Sequence, residues 1–185
     1  YEYYNKGLCV YISLHDKRRI CQIYGKLGVV LFKQGFFLQA IGMCTKQLDS
    51  APKNNLLMKF EAHGLMGDAY SSIGRFPDAK TSSKLSLELA TDMGDARCIA
   101  LESGRQGIVH ELSGDLENAL VCYNTQLVYG LQAGDSYLLA AVYTYMASVF
   151  RKMEMNILSV QYQQKAICIA RRVGDRVSEG VMLDG

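Results

Sequence analysis

The sequence has few of the features that would assign it to a specialised class of protein. Its 185 residues include only 2 prolines, and 20 basic residues balance 18 acidic ones, for a formal net charge of +2. We therefore expect no nucleic-acid partner, because nucleic-acid binding usually needs a basic patch. The longest basic cluster is Lys17-Arg18-Arg19, which we interpret as solvated charge at the start of a helix.

Long apolar runs are also missing. No run approaches the roughly 20 residues that a membrane-spanning helix needs. The longest candidate covers 138–149 and contains Thr144 and Ser148, so it fits a buried helix better. The first residues, Tyr1-Glu2-Tyr3-Tyr4-Asn5, lack the basic start and the apolar core of a signal peptide. We therefore expect no membrane insertion and a cytoplasmic location.

The cysteines show neither a CxxC motif nor a metal-binding spacing. They occupy apolar helical positions, where a free cysteine behaves as a small hydrophobe. We expect free thiols in a reducing compartment, no metal and no cofactor. The six residues are Cys9, Cys21, Cys44, Cys98, Cys122 and Cys168.

A repeated dipeptide organises the chain. Gly94-Asp95, Gly134-Asp135 and Gly174-Asp175 recur 40 residues apart. Glycine takes the left-handed conformation that ends a helix, and aspartate accepts the free N–H groups that open the next one. Asn54-Asn55 stands one period earlier, after Pro52, and supplies similar chemistry. A period of this length predicts stacked structural repeats.

The period divides the chain into repeats of two helices each. Full repeats are predicted at 17–55, 56–95, 96–135 and 136–175, with a partial repeat at 1–16 and a truncated one at 176–185. Apolar residues recur at helical spacing, as in Leu138, Val142, Tyr145, Met146 and Val149, and no stretch alternates as a strand does. We predict an all-α fold in which a single array covers 1–185.

The repeats resemble the tetratricopeptide repeat at three of its characteristic positions. Small residues stand at the eighth position, mostly aromatic or large residues at the eleventh, and small residues at the twentieth. In repeat order the residues are Gly28, Gly67, Gly107 and Ala147; Leu31, Tyr70, His110 and Phe150; and Ala40, Ala79, Ala119 and Ser159.

The 40-residue period is similar to the variety found in LGN/Pins and rapsyn-like adaptors. Their Gly-Asp-Arg-x-x-Glu-Gly junction is reproduced by Gly174-Asp175-Arg176-Val177-Ser178-Glu179-Gly180. The resemblance implies a right-handed superhelical solenoid of antiparallel helix pairs. It also implies an intracellular scaffold or adaptor whose partner is a protein or peptide. The alternative is a structural module that associates with itself, or with further repeats, through its ends.

In such a solenoid the first helix of each pair lines a concave groove. We expect a partner segment to lie there, with its acidic residues at Arg105 and Arg151 and an apolar anchor near Ile108. The predicted charge runs from acidic to basic along the groove. The predicted groove residues are Phe32, Lys33, Glu61, Asp68, Ser71, Arg105, Ile108, Glu111, Thr144, Ser148, Arg151 and Lys152.

Mid-helix glycines also require an explanation, because each costs roughly 1 kcal/mol relative to alanine. Gly25, Gly64 and Gly104 each lie three residues before another glycine. The second glycine of each pair is explained by tight packing of the two helices within a repeat. For the first glycine two explanations stay open: close approach of a partner backbone, or packing on the preceding repeat.

No catalytic site is visible in the sequence. His15, His63 and His110 lie far apart in the repeat register, and neither a Gly-rich phosphate loop nor a nucleophile elbow is present. We expect the protein not to be an enzyme.

Overall fold

A computed structural model describes residues 16–174, and this range consists of α-helices and short turns without a strand. Its eight helices are α1 (Lys17–Lys33), α2 (Phe37–Ser50), α3 (Leu56–Ser72), α4 (Phe76–Met93), α5 (Ala96–Leu112), α6 (Leu116–Ala133), α7 (Ser136–Lys152) and α8 (Asn156–Val173). The all-α prediction is confirmed. We call α1, α3, α5 and α7 the front helices, and α2, α4, α6 and α8 the back helices.

The chain forms two compact units, Tyr1–Gly94 and Asp95–Gly185. In the first unit α1 packs on α2, α2 on α3, and α3 on α4. In the second unit α5 packs on α6, α6 on α7, and α7 on α8. Each unit thus contains two antiparallel helix pairs. The division coincides with the predicted junction between the second and third repeats, and a single array across 1–185 stays a prediction.

The Gly-Asp junctions have the predicted chemistry, whereas the Asn54-Asn55 junction has it only in part: Ala51, the C-cap of α2, is in an extended conformation, and Asn54 is not left-handed. Gly94 and Gly134 adopt φ values of 64° and 63°, in the left-handed region that glycine tolerates best. The side chain of Asp95 accepts hydrogen bonds from two backbone N–H groups of α5, and Asp135 does the same for α7. The side chain of Asn55 accepts one bond from α3. Gly174 ends α8 in the same left-handed conformation, and Asp175 lies outside the described residues.

The turn inside each pair has a left-handed residue too. Gly35, Gly74 and Gly114 adopt φ values of 81°, 75° and 82°. In the last pair the residue is Glu154, with φ 62°. Because a side chain at this φ crowds its own carbonyl, Glu154 is a strained position in an otherwise regular turn.

Gly25 and Gly104 face the back helix of their own pair, and Gly28 faces both that helix and Leu65 of α3. A Cβ placed on Gly28 would touch Cys44, and one placed on Gly104 would lie 2.6 Å from Oε1 of Gln126. At Gly25 the nearest side chain is that of Gln47, at 2.8 Å. The structure thus supplies a third explanation for the first glycine at these two positions, and approach of a partner backbone stays a prediction. A buried glutamine of the same pair fills the space that a larger residue on the front helix would need.

Five of the six cysteines lie within 16–174, and all five are free thiols. Cys9 lies outside the described residues. Burial, followed by the charge of Asp68, raises the pKa of the Cys44 thiol to about 12. Burial and then Glu61 also raise the pKa of Cys21. Both thiols are fully buried core side chains. Because a thiol with a raised pKa is a poor nucleophile, they are also unreactive.

Candidate functional site

Five of the predicted groove residues meet around one cavity in the second unit. Its volume is about 380 Å³, and it lies between α5, α7 and α8. We name it the Glu111 cavity. Its walls are formed by Ile108, Glu111, Leu112, Thr144, Tyr145, Ala147, Ser148, Arg151, Ser159 and Gln163. Sequence reasoning placed the front helices here but missed Ser159 and Gln163, which come from a back helix.

The carboxylate of Glu111 is bonded from three directions. The hydroxyl of Tyr123 donates to Oε2 at 2.8 Å, and the hydroxyl of Ser148 donates to Oε1 at 2.8 Å. Nζ of Lys152 lies 2.8 Å from Oε1. The acid therefore connects α5 to α6 and α7. Two predicted groove residues, Ser148 of the cavity wall and the further residue Lys152, are thus partners of Glu111 within the chain.

Tyr123 does not line the cavity but contacts two residues that do, Glu111 and Tyr145. It is fully buried and stacks on Tyr145 with ring centroids 5.3 Å apart. Burial is the main reason that the pKa of Tyr123 is raised well above its ordinary value, and the hydrogen bond to Glu111 is the next. The phenol therefore stays protonated and acts as a fixed donor.

Three hydroxyl groups of the cavity wall, those of Thr144, Ser148 and Ser159, direct their hydrogens into the protein. Thr144 donates to the backbone carbonyl of Ala140 at 3.0 Å, and Ser159 donates to that of Ala147 at 2.9 Å. Ser148 donates to Glu111, as described above. Since each hydroxyl has a single hydrogen, the remaining hydrogen-bonding capacity of these three groups is that of acceptors.

Arg105 lies on α5 beside a buried acid. Its Nη1 is 3.3 Å from Oε2 of Glu102, whose side chain is completely buried. The equivalent positions in the other repeats are apolar and buried: Ile23, Ala62 and Val142. Sequence reasoning missed Glu102, although a charged residue at an apolar register position was a signal that could have found it. A partner acid at Arg105 has to compete with this pair.

The remaining predicted groove residues lie on α1 and α3 of the first unit. Phe32 is half-buried and meets Phe37 edge to face at 5.4 Å, and Lys33 is exposed. The hydroxyl of Ser71 donates to the backbone carbonyl of Gly67. Asp68 is half-buried, and partial desolvation raises the pKa of Glu61 although its side chain remains exposed. This unit thus supplies two acidic groups, one lysine and one aromatic.

The two histidines in the described range have separate structural settings. Nδ1 of His110 lies 3.0 Å from Oδ2 of Asp115, the residue that caps α6. Hydrogen bonding from Asn118, followed by His110, lowers the pKa of Asp115. Burial, followed by Lys59, lowers the pKa of His63. His15 lies outside the described residues.

The described residues offer neither a metal site nor a membrane-spanning helix. No group of three or more His, Cys, Asp or Glu side chains in 16–174 could hold a metal ion. None of the helices in this range is long and apolar enough to cross a membrane.

Comparisons with known proteins identify the fold of this chain but do not assign it to a family. No family model matches the sequence, and no curated protein does. Among solved structures, aspartyl phosphate phosphatase F from Bacillus subtilis matches 98% of this chain with a TM-score of 0.90 at 10% identity. A signal transduction ATPase with a tetratricopeptide repeat sensor, from Pyrococcus horikoshii, matches 90% with a TM-score of 0.77 at 17% identity. MamA matches 92% with a TM-score of 0.66 at 16% identity.

The chain spans 48% of the phosphatase, 26% of the ATPase and 91% of MamA. At such low identity these likenesses concern the fold alone. Together with the helix pairs they define the class: a helical-repeat protein with a tetratricopeptide-like fold. The fold-class prediction is confirmed at this level.

Proposed function

We propose that this chain is a protein–protein interaction scaffold or adaptor that binds a peptide segment of its partner along the front helices. The observation that carries the proposal is the Glu111 cavity, where α5, α7 and α8 place apolar and charged side chains around a volume of about 380 Å³. A volume in this range suits one or two side chains of a bound segment. Apolar pockets beside orienting polar groups are typical of such anchors.

Charged side chains of the front helices supply polar contacts for the bound segment in each unit. The first unit contributes Glu61 and Asp68, and the second contributes Arg105, Arg151 and Lys152. We expect acidic residues of the partner at Arg105 and Arg151, and an apolar anchor near Ile108. Because Lys152 already binds Glu111, and Arg105 lies beside Glu102, a partner acid gains less from these two cations than from an unengaged one.

A selection from a random peptide library tests the proposal. Peptides enriched on the full chain are measured by titration calorimetry against Arg105→Glu combined with Arg151→Glu. We expect at least a roughly tenfold loss of affinity. Because Arg105→Glu also removes the cation beside the buried Glu102, circular dichroism and a melting curve first establish that the variant is folded. Lys80→Glu with Lys84→Glu, two exposed lysines of α4, is the matched control and leaves affinity intact. A library without enriched peptides, or equal affinities for both double variants, contradicts the proposal.

A second candidate is self-association or stacking through the repeat ends. It is supported by two apolar side chains of α8, Ile157 and Val160, which are 77% and 54% exposed. Sedimentation of Ile157→Lys with Val160→Lys tests it: a dimer of the native chain should become a monomer. Val128→Lys, which changes an equally exposed valine on α6, serves as the control. A monomeric native chain contradicts this alternative.

Three finer predictions belong to the same proposal. Membership of the LGN/Pins and rapsyn-like variety rests on the 40-residue period and on the Gly-Asp-Arg-x-x-Glu-Gly junction. A cytoplasmic location rests on the scattered free cysteines. A binding role in place of an enzymatic one rests on Glu111, whose carboxylate is occupied by structural partners and is not held ready as a base.

A further inference from the structure

Hydroxyl groups of the Glu111 cavity present hydrogen-bond acceptors to a ligand, although the adjoining end of α7 carries two cations. Three hydroxyl groups of its wall, those of Thr144, Ser148 and Ser159, donate their hydrogens into the protein, and we call these three groups the hydroxyl wall. A group that enters the cavity therefore meets acceptor oxygens on this wall. The side chains of Tyr145 and Gln163 also line the cavity. The guanidinium of Arg151 is the cationic donor among the lining side chains.

These groups discriminate between the polar side chains that a partner could insert. A carboxylate would place its own acceptors against the hydroxyl wall and beside the negative charge of Glu111. An ammonium would find acceptors but would lie close to Arg151 and Lys152, two cations at one end of α7. Like charges in such proximity cost binding energy.

A primary carboxamide can pair both with the acceptors of the hydroxyl wall and with the donor groups of Arg151. Its NH₂ group supplies two donors, which the hydroxyl oxygens of Thr144 and Ser159 can accept, and its carbonyl oxygen can accept from Arg151. It is also neutral, so it adds no charge to a site where Glu111 and Lys152 already form a pair at 2.8 Å. Ile108 and Ala147 provide an apolar surface for the methylene groups that carry it.

We propose that the Glu111 cavity takes a primary carboxamide on a short apolar stem: a glutamine or asparagine side chain, or an amidated C-terminus. This inference rests on the proposed function, because it names the group of the bound segment that the cavity selects. It goes beyond the acidic contacts proposed at Arg105 and Arg151, because it names a neutral group that enters the cavity itself.

Small probes measure this selectivity on the full chain. The probes are the N-methylamides of N-acetylglutamine, N-acetylglutamate and N-acetyllysine, together with N-acetylleucinamide, whose primary amide is terminal. Each is titrated into the ¹⁵N-labelled protein, and backbone amide shifts of α5, α7 and α8 are followed by NMR. We expect the glutamine probe to bind about fivefold or more tightly than the glutamate and lysine probes, which is the worth of one net hydrogen bond. Whichever of the glutamine and leucinamide probes binds more tightly identifies the source of the carboxamide.

Thr144 supplies the matched variants. Thr144→Val keeps the shape of the side chain and removes the acceptor, so the preference for glutamine should disappear. Thr144→Ser keeps the hydroxyl and should restore the preference. Melting curves of both variants confirm that they are folded.

Three results with the native chain would overturn the inference: equal binding of the glutamine, glutamate and lysine probes, tighter binding of the glutamate or lysine probe, and no binding of any carboxamide. A fourth would be an unchanged preference for the glutamine probe in folded Thr144→Val. None of these results affects the peptide-library test. Enriched peptides that lose affinity in the Arg105/Arg151 variant would still support the proposed function, so the two proposals fail separately.

Discussion

The hydroxyl of Tyr123 and the carboxylate of Glu111 form a 2.8 Å hydrogen bond between a fully buried residue of α6 and the cavity wall on α5. Hydrogen bonds to a charged acceptor are stronger than those between neutral groups. Because the same carboxylate also accepts from Ser148 on α7, one side chain joins three helices of the second unit. The shape of the cavity therefore depends on a residue that does not line it.

Replacement of Tyr123 by phenylalanine removes this hydroxyl and keeps the ring. We expect the free energy of unfolding to fall by about 1.5–3 kcal/mol, because a hydrogen bond to a charged group is lost. Urea titration followed by circular dichroism measures the change. Tyr129→Phe, at a half-buried tyrosine of the same helix, is the control and should alter the midpoint little. Equal midpoints for the two variants would show that the Tyr123–Glu111 bond contributes nothing.

Gly107 packs against the ring of Tyr123, and a Cβ at this position would overlap ring carbons. Gly107→Ala should destabilise the protein by about 1–3 kcal/mol, since the core has to shift to admit a methyl group. Gly42 is also helical but has no atom near its Cβ position. Gly42→Ala should therefore stabilise by about 1 kcal/mol through helix propensity alone. Thermal unfolding compares the two, and changes of the same sign would contradict the packing explanation.

Glu154 adopts φ 62°, where the other intra-pair turns have glycine. Glu154→Gly should raise the free energy of unfolding by about 0.5–1 kcal/mol, because relief of the left-handed strain exceeds the entropy cost of glycine. The reverse change, Gly114→Ala at φ 82°, should lower it. Calorimetric melting temperatures give both signs. A lower melting temperature for Glu154→Gly would mean that the turn is not strained.

Asp115 connects stability to pH. Its pKa is lowered in the folded protein, first by the Asn118 side chain and then by His110. A carboxyl whose folded pKa lies below its unfolded value stabilises the fold above the unfolded pKa, and this contribution is lost as the pH falls through the folded pKa. The ordinary value is 3.8. We therefore expect the stability difference between the native chain and Asp115→Asn to be constant near neutrality and to shrink below about pH 4. Urea titrations from pH 2 to 7 measure it, and a difference independent of pH would contradict the assignment.

The local features of the fold were predictable because they depend on near neighbours in the chain. Gly94 and Asp95 end one helix and cap the next through conformational preferences of these residue types, and Gly134 and Asp135 repeat them. The identity of the strained turn residue, Glu154, could also be read from the repeat register.

The roles of the polar residues were not predictable in the same way. Glu111 counted as a groove residue available to a partner, whereas its carboxylate is bound by side chains 12 and 37 residues away in sequence. Gln126 fills the space next to Gly104, and no local sequence pattern predicts that these two residues pack together. The choice of partner for each buried polar atom depends on distances between helices, and these arise only when the helices pack.

By itself, then, the sequence determined the period and the residues that cap and turn the chain at the Gly-Asp junctions, since each depends on backbone preferences within a few residues. Tertiary structure decided which side chains meet around the Glu111 cavity and which hydrogens of Thr144, Ser148 and Ser159 are already donated. It therefore also decided what the cavity can accept. The physical reason is that a hydroxyl has one hydrogen, and only the packed neighbours of Ser148 determine whether a ligand meets that hydrogen or the lone pairs.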